Sequence, residues 1–349
     1  MRPATIARWI AVVWTIVGAA ATALPSGASA QPAADFFRGK RINMYVSSTV
    51  GGGYDQYSRL LAKHIVRYIP GEPTIIVQNM PGAEGIKAAN YIFTVAPQDG
   101  TAIGALSRNI GLVQLYESGN PAIQFDARKM HWIGSPQQEI GTGIFSTRTG
   151  LRSIEDLKGR DVTASSTSRN APTSVYPRML NALYGTKLKV IEGYPGSPES
   201  LIAFERGEVE AYVSGGTSAP TLARMVAQVD SGNAKVFVQM GMKRNPRFAD
   251  VPTAIDLVSS PEHKQMFEIV FTDQVMGRPF VLAPGVPADR VAALRAAFDA
   301  TMKDATFLAE AKQQKMEIDP VSGAEINALL ERVYTAPPSV IARIRDLVK

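Results

Sequence analysis

The chain has no cysteine. That single absence excludes a disulfide framework, a thiolate metal site and a cysteine nucleophile. Histidine is almost as scarce, with His64, His131 and His263 the only three in 349 residues. Packing accounts for each: His64 sits within a helical pattern, His131 stands beside Trp132, and His263 lies in a polar stretch. There is no G-x-S-x-G elbow, H-E-x-x-H pair, Walker loop, EF-hand loop or G-x-G-x-x-G turn after a strand. A periplasmic hydrolase built on Ser48 or Ser166 would have no general base beside its nucleophile. The expectation is a protein that is not an enzyme and carries neither cofactor nor metal.

Runs of charge are also missing. Lys and Arg exceed Asp and Glu by 37 to 31, but the excess is dispersed and aromatic residues do not alternate with it. A nucleic-acid surface needs that clustering, so no nucleic-acid partner is expected, whereas a small anionic ligand suits the mild excess. Only one long apolar run occurs. Arg2 and Arg8 precede an uncharged stretch from Trp9 to Leu24, and Ala28-Ser29-Ala30 then supplies the small residues a signal peptidase requires. The run approaches the shortest membrane spans, but Pro25, Gly27 and the small triplet favour a Sec-type signal peptide over residues 1–30, cut before Gln31. The mature chain is then periplasmic. Without disulfides it relies on core size, which 45% apolar residues supply.

What is present is an alternation of strand and helix. Ile42 to Val46, Thr74 to Val77 and Thr101 to Leu106 are strand-like, separated by helical patterns over Asp55 to Tyr68 and Ala83 to Val95. The rhythm restarts after Ser135. Ser153 and Asp156 suggest a capping box, followed by strands at Val162 to Ala164, Lys189 to Ile191, Ala211 to Ser214 and Val236 to Met240. Helical patterns lie between them, at Thr173 to Leu183, Leu201 to Arg206 and Leu222 to Ala227. The tail from Ala288 is helical with breaks at Pro320 and Pro337-Pro338. The fold class is α/β, two-lobed, with a mainly parallel sheet in each lobe. Residues 31–135 plus 275–349 are assigned to the first lobe and 136–274 to the second, with short crossings near Ser135 and near Gln274 to Phe280.

In open α/β sheets ligands sit beyond the carboxyl ends of the strands. The first such loop is Ser47-Ser48-Thr49-Val50-Gly51-Gly52-Gly53-Tyr54, running into Asp55 and a helix. Glycines let backbone N–H groups approach an anion, and the helix amino terminus adds favourable potential. The alternative is a plain turn with Asp55 as cap. A second glycine-bearing turn, Pro81-Gly82-Ala83-Glu84-Gly85, emerges at the same edge, with Glu84 expected to face solvent or an arginine.

These residues carry a resemblance. GGGYD, then QNMPGAEG, then APQDGTAIG, with GYPGSPES, FERGEVEAY, DVPTAIDL and APGVPADRVAALRAAF further on, resemble the TctC-type or Bug-family extracytoplasmic solute receptors in order and spacing. The resemblance spans nearly the whole mature chain. It implies a Venus-flytrap receptor of type II periplasmic-binding-protein-like fold. It implies a small carboxylate held by main-chain N–H groups of Ser47 through Tyr54 and of Pro81 through Gly85, and delivery to the integral-membrane subunits of a tripartite tricarboxylate-type transporter. Many relatives carry Pro-Gly-Gly after the first strand and Arg before the second Pro-Gly, where this chain has Ser48-Thr49-Val50 and Met80. The backbone role survives that change; the identity of the acid does not carry over. A periplasmic sensor is the competing function, and a monomer is expected.

In the second lobe, Ser165-Ser166-Thr167-Ser168-Arg169 repeats the Ser-Ser-Thr order of the first loop, so hydroxyls on both loops would grip a polar ligand. The alternative is that they cap helices. Gly196 and Ser197, with Gly215 in the turn after Ser214, are expected to line the same wall. A second ligand carboxylate needs a guanidinium. Arg169 on its loop, Arg278 at the return crossing and, behind them, Arg148 are the candidates.

Overall fold

The computed structural model describes residues 33–167, 169, 171–214 and 219–348. The signal-peptide reading and Gly215 therefore lie outside the described residues. After a short helix α1 (Ala33–Phe37), the first half alternates as expected: β1 (Arg41–Val46), α2 (Gly53–Ile65), β2 (Thr74–Asn79), α3 (Ile86–Thr94) and β3 (Ala102–Ala105). Helix α2 forms because Tyr57, Leu60, Leu61 and Ile65 recur on one face and are buried against the sheet. A short helix α4 (Val113–Tyr116) and a strand β4 (His131–Ser135) lead to the crossing.

The second half holds β5 (Gly141–Ser146), β6 (Val162–Ser165), α5 (Pro172–Tyr184), β7 (Leu188–Ile191), α6 (Ser197–Arg206), β8 (Ala211–Val213), α7 (Ala219–Asp230) and β9 (Ala234–Met240). The capping box at Ser153 and Asp156 is present, though it opens a single 3-10 turn over Ile154–Lys158. Helix α8 (Pro261–Met276) returns the chain to β10 (Phe280–Leu282), followed by α9 (Ala288–Thr301), α10 (Ala305–Gln313), β11 (Val321–Ser322), α11 (Gly323–Tyr334) and α12 (Pro338–Val348). Both expected proline breaks fall between helices. The break at Pro320 also starts a two-residue strand, and Ser322 then caps α11 with Glu325 in a capping box.

Two sheets result, in the orders β11-β4-β10-β3-β1-β2 and β7-β6-β8-β5-β9. The first draws its strands from both ends of the chain and the second from the middle. In the first sheet β10 and β11 run against the other four strands, and in the second only β5 runs against the rest. This is the two-lobed α/β arrangement expected, and the reversed strands β5 and β10 are those that follow the crossings. Helix α12 packs on α5 of the second sheet's layer as well as on α4 and α8, so the carboxyl end touches both halves.

Register places the loops. In parallel pairing Val46 stands level with Asn79 on one side and with Ala105 on the other. The chain therefore leaves β1, β2 and β3 at one height on one edge. On the second sheet Ser165 pairs with Ile191, so β6 and β7 end level in the same way. Because β5 is antiparallel, its amino end begins at the crossing and its carboxyl end, with Arg148, lies at the opposite edge. Ser146 there pairs with Ala234, the first residue of β9. Arg148, the least favoured of the three arginine candidates, donates there to the Glu205 carbonyl, away from the crossing.

Candidate functional site

The loop after β1 is held by a carboxylate from its own helix. Asp55, 2% exposed, accepts from the Gly51 N–H at 2.8 Å, from Arg59 Nε at 3.0 Å and from Asn79 Nδ2 at 2.9 Å. Asn79 also donates to the Ser48 carbonyl at 3.0 Å, tying the ends of β1 and β2 together. Burial raises the Asp55 pKa, but the bonds from Arg59, Gly51 and Asn79 outweigh it and hold the carboxyl below its usual range. The Gly51 N–H is thus consumed inside the loop. Gly53 and Tyr54 open α2, and as first-turn residues have no carbonyl four back within the helix to receive their N–H groups. Gly52 has an ordinary φ of −72°, and a Cβ there would come no closer than 3.5 Å to its neighbours. Its lack of a side chain leaves room rather than permitting an unusual backbone.

The second loop is strained. Gly82, Ala83, Glu84 and Gly85 take φ of 143°, 46°, 51° and 98° in succession. Two non-glycine residues in the left-handed region cost about 1 to 3 kcal/mol each, a conformation kept when the surroundings or a function require it. The turn is closed by the Gly85 N–H to the Gly82 carbonyl at 3.0 Å. Glu84 is exposed, as expected.

A third loop, which the sequence reading passed over, joins these two. Ser107, directly after β3, has its hydroxyl 3.0 Å from that of Ser47, and a Cβ on Gly85 would meet the same oxygen at 2.7 Å. The three loops therefore converge on Ser107. Next to it the Arg108 N–H donates to the Tyr54 hydroxyl at 3.0 Å.

The hydroxyls behave differently from the sequence expectation. Ser47, Ser165 and Ser166 are buried, and each bonds within the protein: Ser47 to Ser107, Ser165 to the Ser200 carbonyl at 2.8 Å, and Ser166 to Thr173 at 2.8 Å. A buried hydroxyl takes the nearest acceptor. These serines brace the loops, while Ser48, Thr49, Thr167 and Ser197 remain exposed or half-buried. Gly196 caps α6 in extended backbone. Arg169 is exposed on its loop, with its carbonyl receiving Arg178. Pro81 is exposed at the first-sheet edge.

Arg278 has a different setting. Its side chain is 11% exposed, its guanidinium lies 4.6 Å from the Tyr54 ring centre and 5.8 Å from that of Tyr57, and Nη2 is 2.6 Å from Glu139. A Cβ on Gly53 would touch that guanidinium at 3.5 Å. Glu139, 4% exposed in its side chain, also binds Arg108, and Arg108 Nε stands 3.8 Å from Asp273 of α8. Burial works against the Arg108 charge, but Glu139 and Asp273 hold its pKa up. Burial pushes Asp273 up to about 6 despite Arg108. Tyr176 of α5, its own pKa raised by burial, accepts a bond from Gln274, so the second lobe also reaches this cluster.

The cluster sits on the two crossings, which run side by side. The Glu139 N–H donates to the Gln274 carbonyl at 2.9 Å, the Gly141 N–H to Gln274 Oε1 at 3.0 Å, and the Arg278 N–H to Ser135 Oγ at 2.9 Å. At Gly277, φ is 41° and a Cβ would lie 2.0 Å from the Gln137 carbonyl oxygen. Only glycine fits where the two crossings pass.

The histidines serve packing. His64 bonds Glu310 at 2.7 Å and receives Arg67, joining α2 to α10, and His131 bonds the Pro284 carbonyl. Among the described residues no three His, Cys, Asp or Glu side chains converge as a metal site, and no helix is long and apolar enough to cross a membrane.

No family model matches the chain. A curated relative, the UPF0065 protein in the gbd 5′ region of Cupriavidus necator, is 25% identical over 256 residues, covering 69% of this chain and 72% of the relative. Among solved structures, a TctC solute-binding protein from Polaromonas aligns with a TM-score of 0.67 at 19% identity, covering 88% of this chain and 98% of the other. A Rhodopseudomonas palustris protein solved with adipate aligns at 0.59 and 16% identity, with 88% and 97% covered. MatC of Rhodopseudomonas palustris, with bound malate, aligns at 0.55 and 16%, with 88% and 99% covered. The fold is that of the TctC and Bug solute-binding proteins, in agreement with the resemblance carried by GGGYD and QNMPGAEG.

Proposed function

We propose that this chain is a member of the TctC and Bug receptors, a periplasmic solute-binding protein that captures a small organic carboxylate between two lobes. The observation that carries the reading is the convergence on Ser107 of three loops from level strand ends, one of them a strained left-handed turn. Gly85 packs on Ser107, while the left-handed Ala83 and Glu84 are exposed at the same strand edge as the open first turn of α2, where their N–H groups can meet an anion. The carboxylate is held by the main-chain N–H groups of Gly53, Tyr54, Ala83 and Glu84, with Ser48 and Thr49 beside it. Thr167, Arg169, Gly196 and Ser197 close on it from the second lobe. The lobes follow the two sheets, residues 31–135 with the return from 275 and residues 136–274, and α12 straddles them. The two oppositely directed crossings give few residues to rotate on closing, so the lobes move as rigid bodies. Delivery to the integral-membrane subunits of a tripartite tricarboxylate-type transporter completes the reading. The protein binds without catalysing on this reading, which is supported by the structural bonds that take up His64, His131, Ser47, Ser165 and Ser166.

A thermal-shift screen of the mature chain against organic acids tests this. A binder at a hundredfold excess over its dissociation constant stabilises by about 2.7 kcal/mol. A panel of aliphatic and aromatic acids with no stabiliser among them would reject the carboxylate reading.

A further inference from the structure

Behind Gly53 and Tyr54, the charged side chains Arg278, Glu139, Arg108 and Asp273 form a connected cluster, and their formal charges cancel when all are ionised. Glu139 is central. One of its oxygens lies 2.6 Å from Arg278 and the other binds Arg108, and its side chain is only 4% exposed. The Arg278 guanidinium, stacked on Tyr54 and within contact of Gly53, is the cation best placed for a second acid group on a ligand whose first is held at Gly53 and Tyr54. Its Nη2 is already spent on Glu139, while its buried Nε has no acceptor.

We propose that Glu139 is the residue that sets specificity, a built-in carboxylate occupying the Arg108–Arg278 pair, so that the receptor selects acids with one carboxylate and an uncharged remainder. The inference rests on the carboxylate-receptor reading and narrows its substrate class. A second ligand carboxylate meets guanidiniums whose charge Glu139 has cancelled, and must either sit beside Glu139 or expel it. Displacement from Arg278 leaves a buried carboxylate with only Arg108 to pair it, on a main chain tied to the return crossing by the Glu139 N–H bond to Gln274. Breaking a buried pair on one side weakens the complex by on the order of a hundredfold or more.

The test is calorimetric titration of the wild-type mature protein and Glu139→Gln with hexanoate against adipate, butanoate against succinate, and benzoate against terephthalate. Glutamine keeps the size of the side chain, can accept from only one of the two guanidiniums, and leaves one net positive charge. Wild type is expected to bind the monocarboxylate of the best-bound pair at least about tenfold more tightly than its partner. Glu139→Gln is expected to reverse or abolish that preference by strengthening the dicarboxylate, with the monocarboxylate changed less than about threefold. Wild type favouring the dicarboxylate overturns the proposal, and this arm needs no variant to fold. A folded Glu139→Gln, checked by circular dichroism, with an unchanged preference overturns it as well. Failure of both proteins to bind any of the six acids brings down the receptor reading, and this inference with it. Normal binding with the wrong preference brings down only the inference.

Discussion

Asp273 offers a test of the crossing cluster that needs no ligand. Its Oδ1 is buried without a hydrogen-bond partner, and its nearest cation, Arg108 Nε, stands 3.8 Å away. Burial lifts its pKa to about 6. In the unfolded chain the group returns to about 3.9, so between roughly pH 4 and 6 the folded state holds a proton that the unfolded state has lost. Folding stability from this group is full below pH 4 and falls as the pH rises through 6. A displacement of roughly two units, which is already net of the attraction to Arg108, sets the ceiling near 3 kcal/mol at about 1.36 kcal/mol each. Asp273→Asn is therefore expected to be more stable than wild type by about 1 to 3 kcal/mol at pH 7.5, with the difference vanishing by about pH 4. Urea unfolding of both proteins at half-unit pH steps measures it. An Asp273→Asn variant less stable than wild type at every pH would show that the Arg108 pairing outweighs burial, and the reasoning would fail.

Four further outcomes are expected. Gly52→Val, whose Cβ has room in the free protein, should fold normally yet lose acid binding, by on the order of a hundredfold if two hydrogen bonds to the charged carboxylate are disturbed; unchanged titrations would move the carboxylate elsewhere. Gly277→Ala should be destabilised by more than about 4 kcal/mol in urea, because its Cβ would strike the Gln137 carbonyl, and a near-neutral change would mean the crossings separate freely. Saturation with a confirmed acid should reduce the radius of gyration in small-angle scattering, and an unchanged radius would indicate a preformed site. Amino-terminal sequencing of periplasmic material should begin near Gln31, and an intact Met1 on functional protein would remove the export reading.

Much of the fold was legible because local pattern and packing agree. The strands at Ile42, Thr74, Val162 and Lys189 lie within a residue or two of expectation, and the glycine loops after β1 and β2 stand where β-to-α turns must. Helix α8 escaped notice for a physical reason: Met266, Phe267, Ile269, Val270, Phe271, Gln274 and Met276 are buried around its circumference, so no apolar stripe marks its period. Nothing in Gly141–Ser146 announces a reversed direction, and that direction carries Arg148 to the edge away from the crossing.

The amino-acid sequence by itself determined the alternation of elements, the two glycine turns, the absence of thiol chemistry and the resemblance that named a receptor class. Each of these is written in neighbouring residues, through propensity, period or motif. Only the tertiary structure decided which polar groups are spent and which remain open. Ser165 faces α6, Ser47 meets Ser107 sixty positions on, and Glu139 reaches both Arg108 and Arg278 across two crossings. A hydroxyl or guanidinium has the same capacity in any sequence, and whether it greets a ligand depends on which distant acceptor packing brings to it first.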